Sequence, residues 1–439
     1  MPVPADVAFA WHERPGAFER LAPPWQRVRE IERRGTIRDG DRAVIELHHG
    51  LLRRRWVAVH HSYEQNRQFA DRQESGPFAS WEHVHRFVPT TGETSTLEDE
   101  ITYRLPFGLF GSLLGRRYAE RTLARTFAYR DRRLADDLRR HTDAKAPLRV
   151  AITGSTGLIG RSLAAFLRTG GHDVITVSRR PQPGGIVWDP GAGLLEAEAL
   201  AGVDAVVHLA GEPIGRRWTQ ARKREIVESR VRGTELLAKT LASLEHRPSV
   251  LVSASAIGFY GDRGDEPLDE ASERGSGFLA GVCDAWEAAC APAHDAGIRV
   301  VNLRIGVVLE AVLPRLLPVF RAGVGGRVGS GRQWWSWISL DDLTAAVLHA
   351  ITTDGLDGPV NAVAPEACTN ADAMRTLARV LRRPCVAPLP AAAARMAFGE
   401  LAREVLLAGQ HVLPTRLETS GFRFAYPRLE AALRHTLGR

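Results

Sequence analysis

Residues 148–160 read LRVAITGSTGLIG, and this short stretch decides the fold of most of the chain. A run of apolar residues ends at Thr153 and is followed by three glycines, Gly154, Gly157 and Gly160. A helical pattern of apolar residues begins directly afterwards. A buried strand, a glycine-rich turn and a helix in this order are typical of a nucleotide-binding unit, because the free N–H groups at the helix start attract phosphate.

The spacing of the three glycines predicts a dinucleotide site. One glycine allows the tight turn, one lets the phosphates approach the backbone, and one lets the helix pack closely on the strand. A second strand pattern follows at the distance that this interpretation requires. The residues predicted to hold the cofactor in this turn are Gly154, Ser155, Thr156, Gly157, Leu158, Ile159 and Gly160.

The second strand, DVITVS, ends at Ser178 and is followed by Arg179 and Arg180. A site for NAD usually has an acidic residue at this place, whereas a guanidinium group can bind the 2′-phosphate of NADP with two hydrogen bonds. We therefore predict NADP(H), the alternative being that both arginines belong to an arginine-rich surface. The next strand ends in HLAG, and the residues predicted to pass beneath the adenosine ribose are Leu209, Ala210 and Gly211.

Strand and helix patterns alternate from residue 148 onward. This alternation predicts an α/β fold with a doubly wound parallel sheet, the Rossmann architecture. Strands are predicted at 148–152, 173–178, 204–209, 249–254 and 299–304. We assign 148–439 to this domain, with 359–439 as a small C-terminal region that contributes to the substrate site.

The first 141 residues have a different pattern. A helical opening ends at two prolines, Pro23 and Pro24, and a long helix is predicted over about 113–140. Between them, five stretches alternate apolar and polar residues, at 27–35, 41–49, 55–64, 81–89 and 95–105. The implied layout is an α+β domain in which an antiparallel sheet is gripped by the long helix. The polar segment 142–147 is predicted to be a linker.

The element order of 1–141 and the opening AWHERPGAFERLAPPW, residues 10–25, resemble the START-like helix-grip superfamily of hydrophobic-ligand carriers. The resemblance implies a cavity, and we expect this domain to bind a hydrophobic ligand. Members of the superfamily usually begin with a strand, but only residues 1–3 precede the first helical pattern. The first strand is therefore expected to be missing or to lie upstream.

Several blocks of the second domain resemble the extended short-chain dehydrogenase/reductase superfamily, and within it the atypical sugar-epimerase-like subgroup. They include HLAG (208–211), SASAIGFYGDRGDEPLDE (253–270), VVNLRIGVVL (300–309) and GSGRQWWSWISLDDL (329–343). The resemblance covers about 148–437 and implies an NADP(H)-dependent oxidoreductase or epimerase that acts on a small, sugar-like substrate. The alternative is a non-catalytic NADP-binding regulator or a carrier of a hydrophobic ligand.

Most members of this superfamily use a Tyr-x-x-x-Lys pair, in which the lysine lowers the pKa of the tyrosine for proton exchange. None of the six tyrosines has a lysine four residues later, and the resemblance places Leu279 and Cys283 at the two positions. The catalytic candidates that remain are Ser253, Ser255 and Tyr260, with Asp284 and Glu287 as further acid or base candidates. For Tyr260 the alternative is a packing role, and for Glu287 it is a salt-bridging role.

The resemblance also places the block 329–343 along the substrate pocket. Aromatic side chains there can stack on rings, and an arginine can bind an anionic group. Trp337 is predicted to lie in the core, and Asp341-Asp342 to cap the helix that follows. The residues predicted to contact the substrate are Glu212, Arg332, Gln333 and Trp334.

Composition argues against several other classes of protein. The net charge of +7 is spread along 439 residues without a basic tract, which argues against nucleic acid as the partner. No apolar run reaches the roughly 18 residues of a membrane span. The four cysteines lack metal-binding spacing, so we expect no metal site, reduced thiols and a cytoplasmic location. The predicted partner is a small-molecule substrate.

Overall fold

The structure is a computed structural model and describes residues 1–49, 52–106, 108–142 and 146–439. The chain divides into two compact units. The first comprises Met1–Pro147, Ala165–His172 and His435–Arg439, and the second comprises Leu148–Ala164 and Asp173–Arg434. Residues 143–145 of the predicted linker lie outside the described residues. Within the described ranges, no helix has a stretch long and apolar enough to cross a bilayer.

The first unit is built on a six-stranded antiparallel sheet whose strands lie in chain order. Two short helices precede the sheet and one long helix follows it, which confirms the predicted α+β layout. The elements are α1 (Ala5–Glu13), α2 (Ala17–Leu21), β1 (Arg27–Arg34), β2 (Arg42–His49), β3 (Leu52–Glu64), β4 (Gln68–Ser75), β5 (Ser80–Pro89), β6 (Ser95–Arg104) and α3 (Gly108–Thr142).

Strand β4 is present in the structure but is absent from the sequence-based prediction. Its sequence, QFADRQES, has only two apolar residues, Phe69 and Ala70. Asp71 lies opposite His83 of β5 in the sheet register, and His83 is buried. A charged residue therefore occupies the inner face of β4, where the alternation that marks a strand requires an apolar one.

Aromatic residues form the core of the first unit. Phe9 of α1 packs edge-to-face on Phe87 of β5, with 5.2 Å between the ring centroids. Both rings belong to a buried cluster that includes Trp11, Phe69 and Leu134. Alternate residues of β5 are buried, so one face of the sheet points towards α1 and α3.

Fourteen short strands and ten helices follow among the described residues from 148 onward. The strands are β7 (Arg149–Thr153), β8 (Asp173–Ser178), β9 (Ile186–Asp189), β10 (Leu194–Leu195), β11 (Ala205–His208), β12 (Val250–Ala256), β13 (Pro267–Leu268), β14 (Arg299–Ile305), β15 (Val307–Val308), β16 (Trp334–Trp335), β17 (Trp337–Ile338), β18 (Gly358–Ala362), β19 (Cys368–Thr369) and β20 (His411–Val412). The helices are α4 (Leu158–Thr169), α5 (Gln220–Ser243), α6 (Phe278–Ala288), α7 (Ala291–Asp295), α8 (Leu309–Arg321), α9 (Leu340–Thr352), α10 (Asn370–Leu381), α11 (Ala391–Phe398), α12 (Thr415–Thr419) and α13 (Leu429–Leu437).

The main sheet of the second unit has eight strands in the order β10-β9-β8-β7-β11-β12-β14-β18. All neighbouring pairs are parallel except β10 with β9. This arrangement confirms the predicted Rossmann architecture and the five predicted strands. The chain proceeds outward from β7 through β8 and then crosses to β11 on the other side of β7. The ends of β7 and β11 therefore form the switch point at which such sheets bind ligands.

Helices α5 and α7 cover one face of this sheet. Leu237 and Leu241 of α5 belong to the same buried cluster as Val206 of β11 and Leu251 of β12. The strands β7, β11 and β12 are buried along almost their whole length, as parallel strands between helical layers must be. Their carboxyl ends are held rigidly by this packing, and the candidate site lies there.

Candidate active site

The glycine turn after β7 leaves no room for side chains at two of its three glycines. Gly154 has a φ of +67°, and a Cβ there would lie 2.7 Å from the carbonyl carbon of Leu209. A Cβ on Gly160 would lie 2.4 Å from the carbonyl oxygen of Gly154. At Gly157 the nearest atom is that same oxygen at 3.2 Å, and nothing else lies within 4 Å. The open side of Gly157 is where a phosphate can approach the backbone.

The start of α4 lies directly after this turn, at Leu158. The first N–H groups of a helix have no acceptor inside the helix, and the helix dipole places partial positive charge on them. Thr156 and Leu158 are exposed, Ile159 is half-buried, and Ser155 is buried. The turn therefore fits a pyrophosphate bound by backbone groups.

Thr153 ties the end of β7 to the end of β11. Its hydroxyl accepts hydrogen bonds from the backbone N–H groups of Leu209 and Ala210, at 3.1 and 3.3 Å. The hydroxyl proton is then directed to Nδ1 of His208, 2.7 Å away. Burial lowers the pKa of His208 to about 4, so the ring is neutral and serves packing. Gly211, the last residue of this segment, is exposed.

The residues after β8 present positive charge. Arg179 and Arg180 are exposed, and the Ser178 hydroxyl donates to the carbonyl oxygen of Arg180 at 2.5 Å. Nη2 of Arg179 lies 3.7 Å from Oε1 of Glu212, whose other oxygen lies 3.4 Å from Nη1 of Arg222. Glu212 was predicted to contact the substrate, but the structure places it beside the arginine predicted to bind the cofactor.

A buried ion pair supports Ser255 near the end of β12. The Ser255 hydroxyl donates to Oε1 of Glu287 at 2.6 Å. Arg304 of β14 holds both oxygens of the same carboxylate through Nε and Nη2, at 2.9 and 2.8 Å. The guanidinium carbon of Arg304 also lies 3.5 Å from the centroid of the Phe259 ring. Glu287 therefore has the salt-bridging role that sequence analysis gave as one alternative.

Tyr260 is fully buried and belongs to this same network. Its hydroxyl donates to Oδ1 of Asn361 at 2.7 Å and accepts from Nη1 of Arg304 at 3.0 Å. Burial raises the pKa of the Tyr260 hydroxyl, so even less of its ionised form is available to act as a base at neutral pH. Sequence analysis gave Tyr260 as a catalytic candidate, with a packing role as the alternative. The observed position favours the alternative, a packing role.

The other catalytic candidates differ in their surroundings. Ser253 lies two residues before Ser255 on β12 and is fully buried within the sheet. Asp284 is exposed on α6 and pairs with Arg274 at 3.1 Å. Of the three serine and tyrosine candidates, only Ser255 has a charged carboxylate as its direct partner.

The two positions of the missing Tyr-x-x-x-Lys pair are filled by packed apolar groups on α6. Cys283 is buried, and burial raises the pKa of its thiol to about 11. A Cβ on Gly258 would lie 3.2 Å from the Cβ of Leu279. Neither residue can exchange a proton at neutral pH, so the chemistry of a tyrosine–lysine pair is excluded here.

The predicted substrate residues after residue 329 are mostly engaged with the protein itself. Nε2 of Gln333 donates to the carbonyl oxygens of Val328 and Leu406, at 3.0 and 2.9 Å. Trp334 stacks on His411 with 3.9 Å between centroids and donates to Asp265 at 2.8 Å. Arg332 is exposed, and no described residue pairs with its side chain.

The structure confirms the predicted core position of Trp337, but the predicted cap at Asp341-Asp342 is wrong, because both aspartates lie within α9 and Ser339 is its N-cap residue. Trp337 is fully buried, and its indole N–H donates to the carbonyl oxygen of Glu366 at 2.8 Å. Ser339 caps α9 by accepting from the N–H of Asp342 at 3.0 Å. The Asp342 carboxylate in turn accepts from two backbone N–H groups, those of Ala425 and Tyr426.

Sequence analysis missed two arginines at this site. Arg304 lies within the buried strand VVNLRIGVVL, where a single charged residue among apolar ones was the available signal. Arg230 of α5 donates to the carbonyl oxygen of Glu212 at 3.0 Å, and its guanidinium lies 4.8 Å from the Trp286 ring centroid. A Cβ on Gly211 would lie 3.3 Å from the guanidinium carbon of Arg230. Arg230 therefore adds positive charge beneath the end of β11.

A parallel sheet with a glycine turn at its switch point and a free helix start defines a dinucleotide-binding protein of the Rossmann class. Residues 150–362 match the family described as NAD dependent epimerase/dehydratase, and residues 389–436 match a domain of unknown function, DUF1731. Residues 1–127 match the family described as polyketide cyclase / dehydrase and lipid transport. The chain belongs to the NAD dependent epimerase/dehydratase family and carries a START-like domain at its N-terminal side.

Several relatives share this family. The epimerase family protein Mb2239 of Mycobacterium bovis is 43% identical over 290 residues, which cover 65% of this chain and 96% of that protein. A structure of the nucleoside-diphosphate sugar epimerase from Corynebacterium glutamicum is 38% identical, has a TM-score of 0.83, and covers 100% of this chain and 89% of its own. The human epimerase family protein SDR39U1, solved with NADPH, is 36% identical with a TM-score of 0.62, and covers 66% of this chain and 99% of its own. Both resemblances drawn from the sequence are thus confirmed.

Replacing Gly160 by alanine tests the close packing of the turn. The added Cβ would lie 2.4 Å from a backbone oxygen, so the turn must shift. We expect Gly160→Ala to lower the free energy of unfolding by roughly 1–3 kcal/mol, measured by urea denaturation of the full chain. The control is Gly281→Ala in α6, where a Cβ meets nothing within 4 Å and should stabilise by about 0.4–1 kcal/mol. Equal urea concentrations at the midpoint of unfolding for the two variants would contradict the packing argument.

Replacing Tyr260 by phenylalanine separates packing from proton transfer. The change leaves Arg304 Nη1 and Asn361 Oδ1 without their shared partner in a buried place. We expect a loss of about 1–3 kcal/mol in the free energy of unfolding. Tyr118→Phe is the control. Tyr118 is 68% exposed, so the removal of its hydroxyl should change the free energy of unfolding by less than about 0.5 kcal/mol. Lost turnover with unchanged stability would instead assign proton transfer to Tyr260.

Proposed function

We propose that residues 148–439 form an NADP(H)-dependent oxidoreductase or epimerase that acts on a small, sugar-like substrate. The observation that carries this proposal is the pair of exposed arginines after β8, Arg179 and Arg180. The adenosine ribose of a dinucleotide bound at such a glycine turn lies near the end of the second strand. A guanidinium group there favours the ribose that carries a 2′-phosphate.

Arg179 is available for this contact. It is 73% exposed, and its pair with Glu212 spans 3.7 Å. Exposed ion pairs of this kind contribute about 0–1 kcal/mol, whereas hydrogen bonds to charged groups contribute about 1.5–3 kcal/mol. A phosphate therefore competes well against Glu212. The human relative solved with NADPH supports the same choice of cofactor.

In this proposal the chain contributes binding and proton transfer. The glycine turn and the start of α4 hold the pyrophosphate, and a bound nicotinamide supplies the site of hydride exchange. Ser255 holds a proton at Oγ, 2.6 Å from the Glu287 carboxylate. Arg304 fixes that carboxylate with two hydrogen bonds and compensates its charge. In this proposal Oγ of Ser255 takes up a substrate proton while its own proton passes to the Glu287 carboxylate, so Glu287 accepts a proton in addition to forming the salt bridge with Arg304.

A second function, cofactor binding without turnover, is favoured by the replacement of the tyrosine–lysine pair by Leu279 and Cys283. The burial of Tyr260 favours it as well. Such a protein would bind NADPH and leave it unoxidised. The relative from Corynebacterium glutamicum is described as a nucleoside-diphosphate sugar epimerase, so nucleoside-diphosphate sugars are the first substrates to test.

The choice of cofactor is tested at Arg179. We expect Arg179→Ala to weaken NADPH binding by about 10- to 100-fold and to leave NADH binding unchanged, because only NADPH carries the 2′-phosphate. Fluorescence titration of the full chain with each coenzyme measures both constants. Arg375→Ala, at an exposed arginine of α10, is the matched control and should change neither. Tighter binding of NADH than NADPH by the unaltered chain would refute the proposed cofactor.

Catalysis is tested at Ser255. We expect Ser255→Ala to lower kcat by about 100-fold or more, while NADPH affinity is retained, because one proton-transfer group typically contributes 10²- to 10⁴-fold. Turnover of nucleoside-diphosphate sugars is followed by NMR together with NADPH absorbance. Ser243→Ala, at the end of α5, is the control. Binding of NADPH without turnover of any such sugar by the unaltered chain would support the non-catalytic function instead.

A further inference from the structure

Four polar side chains share the inner face of the sheet in the first unit. Asp71 of β4 lies opposite His83 of β5, and Asp99 of β6 lies opposite His85 of β5. His83 and His85 are two residues apart on one strand, so they point to the same side. Both imidazoles are buried, and the two carboxylates are 17% and 14% exposed. Packing alone does not explain two histidines and two aspartates on an inner face.

Three of these side chains converge with the spacing of metal ligands. Oδ2 of Asp71 lies 3.4 Å from Nδ1 of His83 and 3.8 Å from Nε2 of His85. The three ligand atoms all lie within 4.8 Å of one another, and they are the one such group among the described residues. Ligands about 2.0–2.2 Å from a tetrahedral zinc ion are about 3.3–3.6 Å apart, whereas neighbouring ligands of an octahedral ion of similar size are only about 3 Å apart. The two distances from Asp71, 3.4 and 3.8 Å, lie nearer to the tetrahedral spacing than to the octahedral one.

The remaining atoms of the group face partners that would orient the ligands. Oδ1 of Asp99 lies 3.1 Å from Nε2 of His83 and 2.6 Å from Nδ1 of His85, the two ring nitrogens that do not face Asp71. The indole N–H of Trp81 donates to Oδ1 of Asp71 at 3.3 Å, which leaves Oδ2 directed at the histidines. A carboxylate behind each ligating imidazole is the usual arrangement around zinc, because it fixes which nitrogen carries the proton.

The charge on this face also favours a cation. Two carboxylates lie within the group, and the half-buried guanidinium of Arg130 on α3 interacts electrostatically with both. Nε of Arg130 donates to the carbonyl oxygen of Leu21 at 3.3 Å, so this cation is anchored elsewhere. A divalent ion would balance the charges of the two carboxylates.

We propose that Asp71, His83 and His85 form a binding site for one divalent transition metal ion, with zinc favoured, and that Asp99 positions the two histidines. Two imidazoles and a carboxylate select such an ion over magnesium or calcium, which prefer oxygen ligands only. Three protein ligands leave one tetrahedral position for water or for an oxygen of a bound molecule. The site lies on the sheet face that points to α1 and α3.

The test uses the full chain after its metal has been removed with a chelator. Zinc binding is measured by competition with a chromophoric chelator, and cobalt(II) is added as a spectroscopic probe. We expect one equivalent of zinc per chain and an intense cobalt(II) band between about 500 and 700 nm, the signature of tetrahedral geometry. His85→Gln should weaken zinc binding by at least 100-fold. The matched control, His61→Gln, removes a half-buried histidine of the same sheet that pairs with Glu82 outside the proposed site, and it should leave zinc binding unchanged.

Asp99→Asn tests the positioning role, because it keeps all three ligands. We expect a 10- to 100-fold loss of zinc affinity, the usual effect of removing such a partner. X-ray absorption of the unaltered chain with zinc does not depend on variants that fail to fold, and it should show two imidazoles in the first shell. Zinc binding that His85→Gln leaves unchanged, the absence of stoichiometric zinc binding, or a preference for iron(II) with octahedral spectra would each overturn the zinc assignment. Cofactor binding to residues 148–439 is measured separately, so either proposal can fail alone.

Discussion

The close approach of two backbone segments at the switch point is the constraint on which the second unit depends. Gly154 lies so near Leu209 that no side chain fits between them. Gly160 lies so near the carbonyl oxygen of Gly154 that no side chain fits there either. Thr153 then ties the two strand ends together through its hydroxyl. This contact brings the start of α4 to the crevice between β7 and β11. The anion site, the ribose position and the end of β12 all take their places from it.

A second constraint is electrostatic. Arg304 brings a permanent charge into a buried parallel strand, which is unfavourable unless a partner compensates it. Glu287 supplies the compensating charge and accepts two hydrogen bonds from Arg304, while Arg304 also donates to the Tyr260 hydroxyl and Ser255 donates to Glu287. Neutral packing of Leu279 and Cys283 beside this network is possible because the network needs no lysine.

The sequence predicted those features of the fold and the site that depend only on residues close together in the chain. Three such features are the glycine turn, the five parallel strands and the position of Arg179. Each is determined by a short stretch of sequence without contacts to distant residues. Contacts between distant segments could not be predicted in this way: Tyr260 and Asn361 are 101 residues apart, and Ser255 and Glu287 are 32 apart. Strand β4 was missed because of a misleading local signal, since the charge of Asp71 on its inner face breaks the alternation of apolar and polar residues. The same residue that hides the strand is a proposed metal ligand.

The Glu287–Arg304 group and the Asp71–Asp99–His83–His85 group balance their charges differently, and the difference identifies where a ligand is needed. In the second unit one carboxylate, Glu287, meets one guanidinium, Arg304, with two hydrogen bonds, so the group is neutral by itself. In the first unit two carboxylates, Asp71 and Asp99, share the influence of one guanidinium that donates to a backbone oxygen instead. Protons on the histidines or a metal ion must supply the missing positive charge. Because Asp71 and Asp99 face opposite nitrogens of the same two rings, a metal ion on the side of Asp71 and one proton on each ring on the side of Asp99 give all four ring nitrogens a partner.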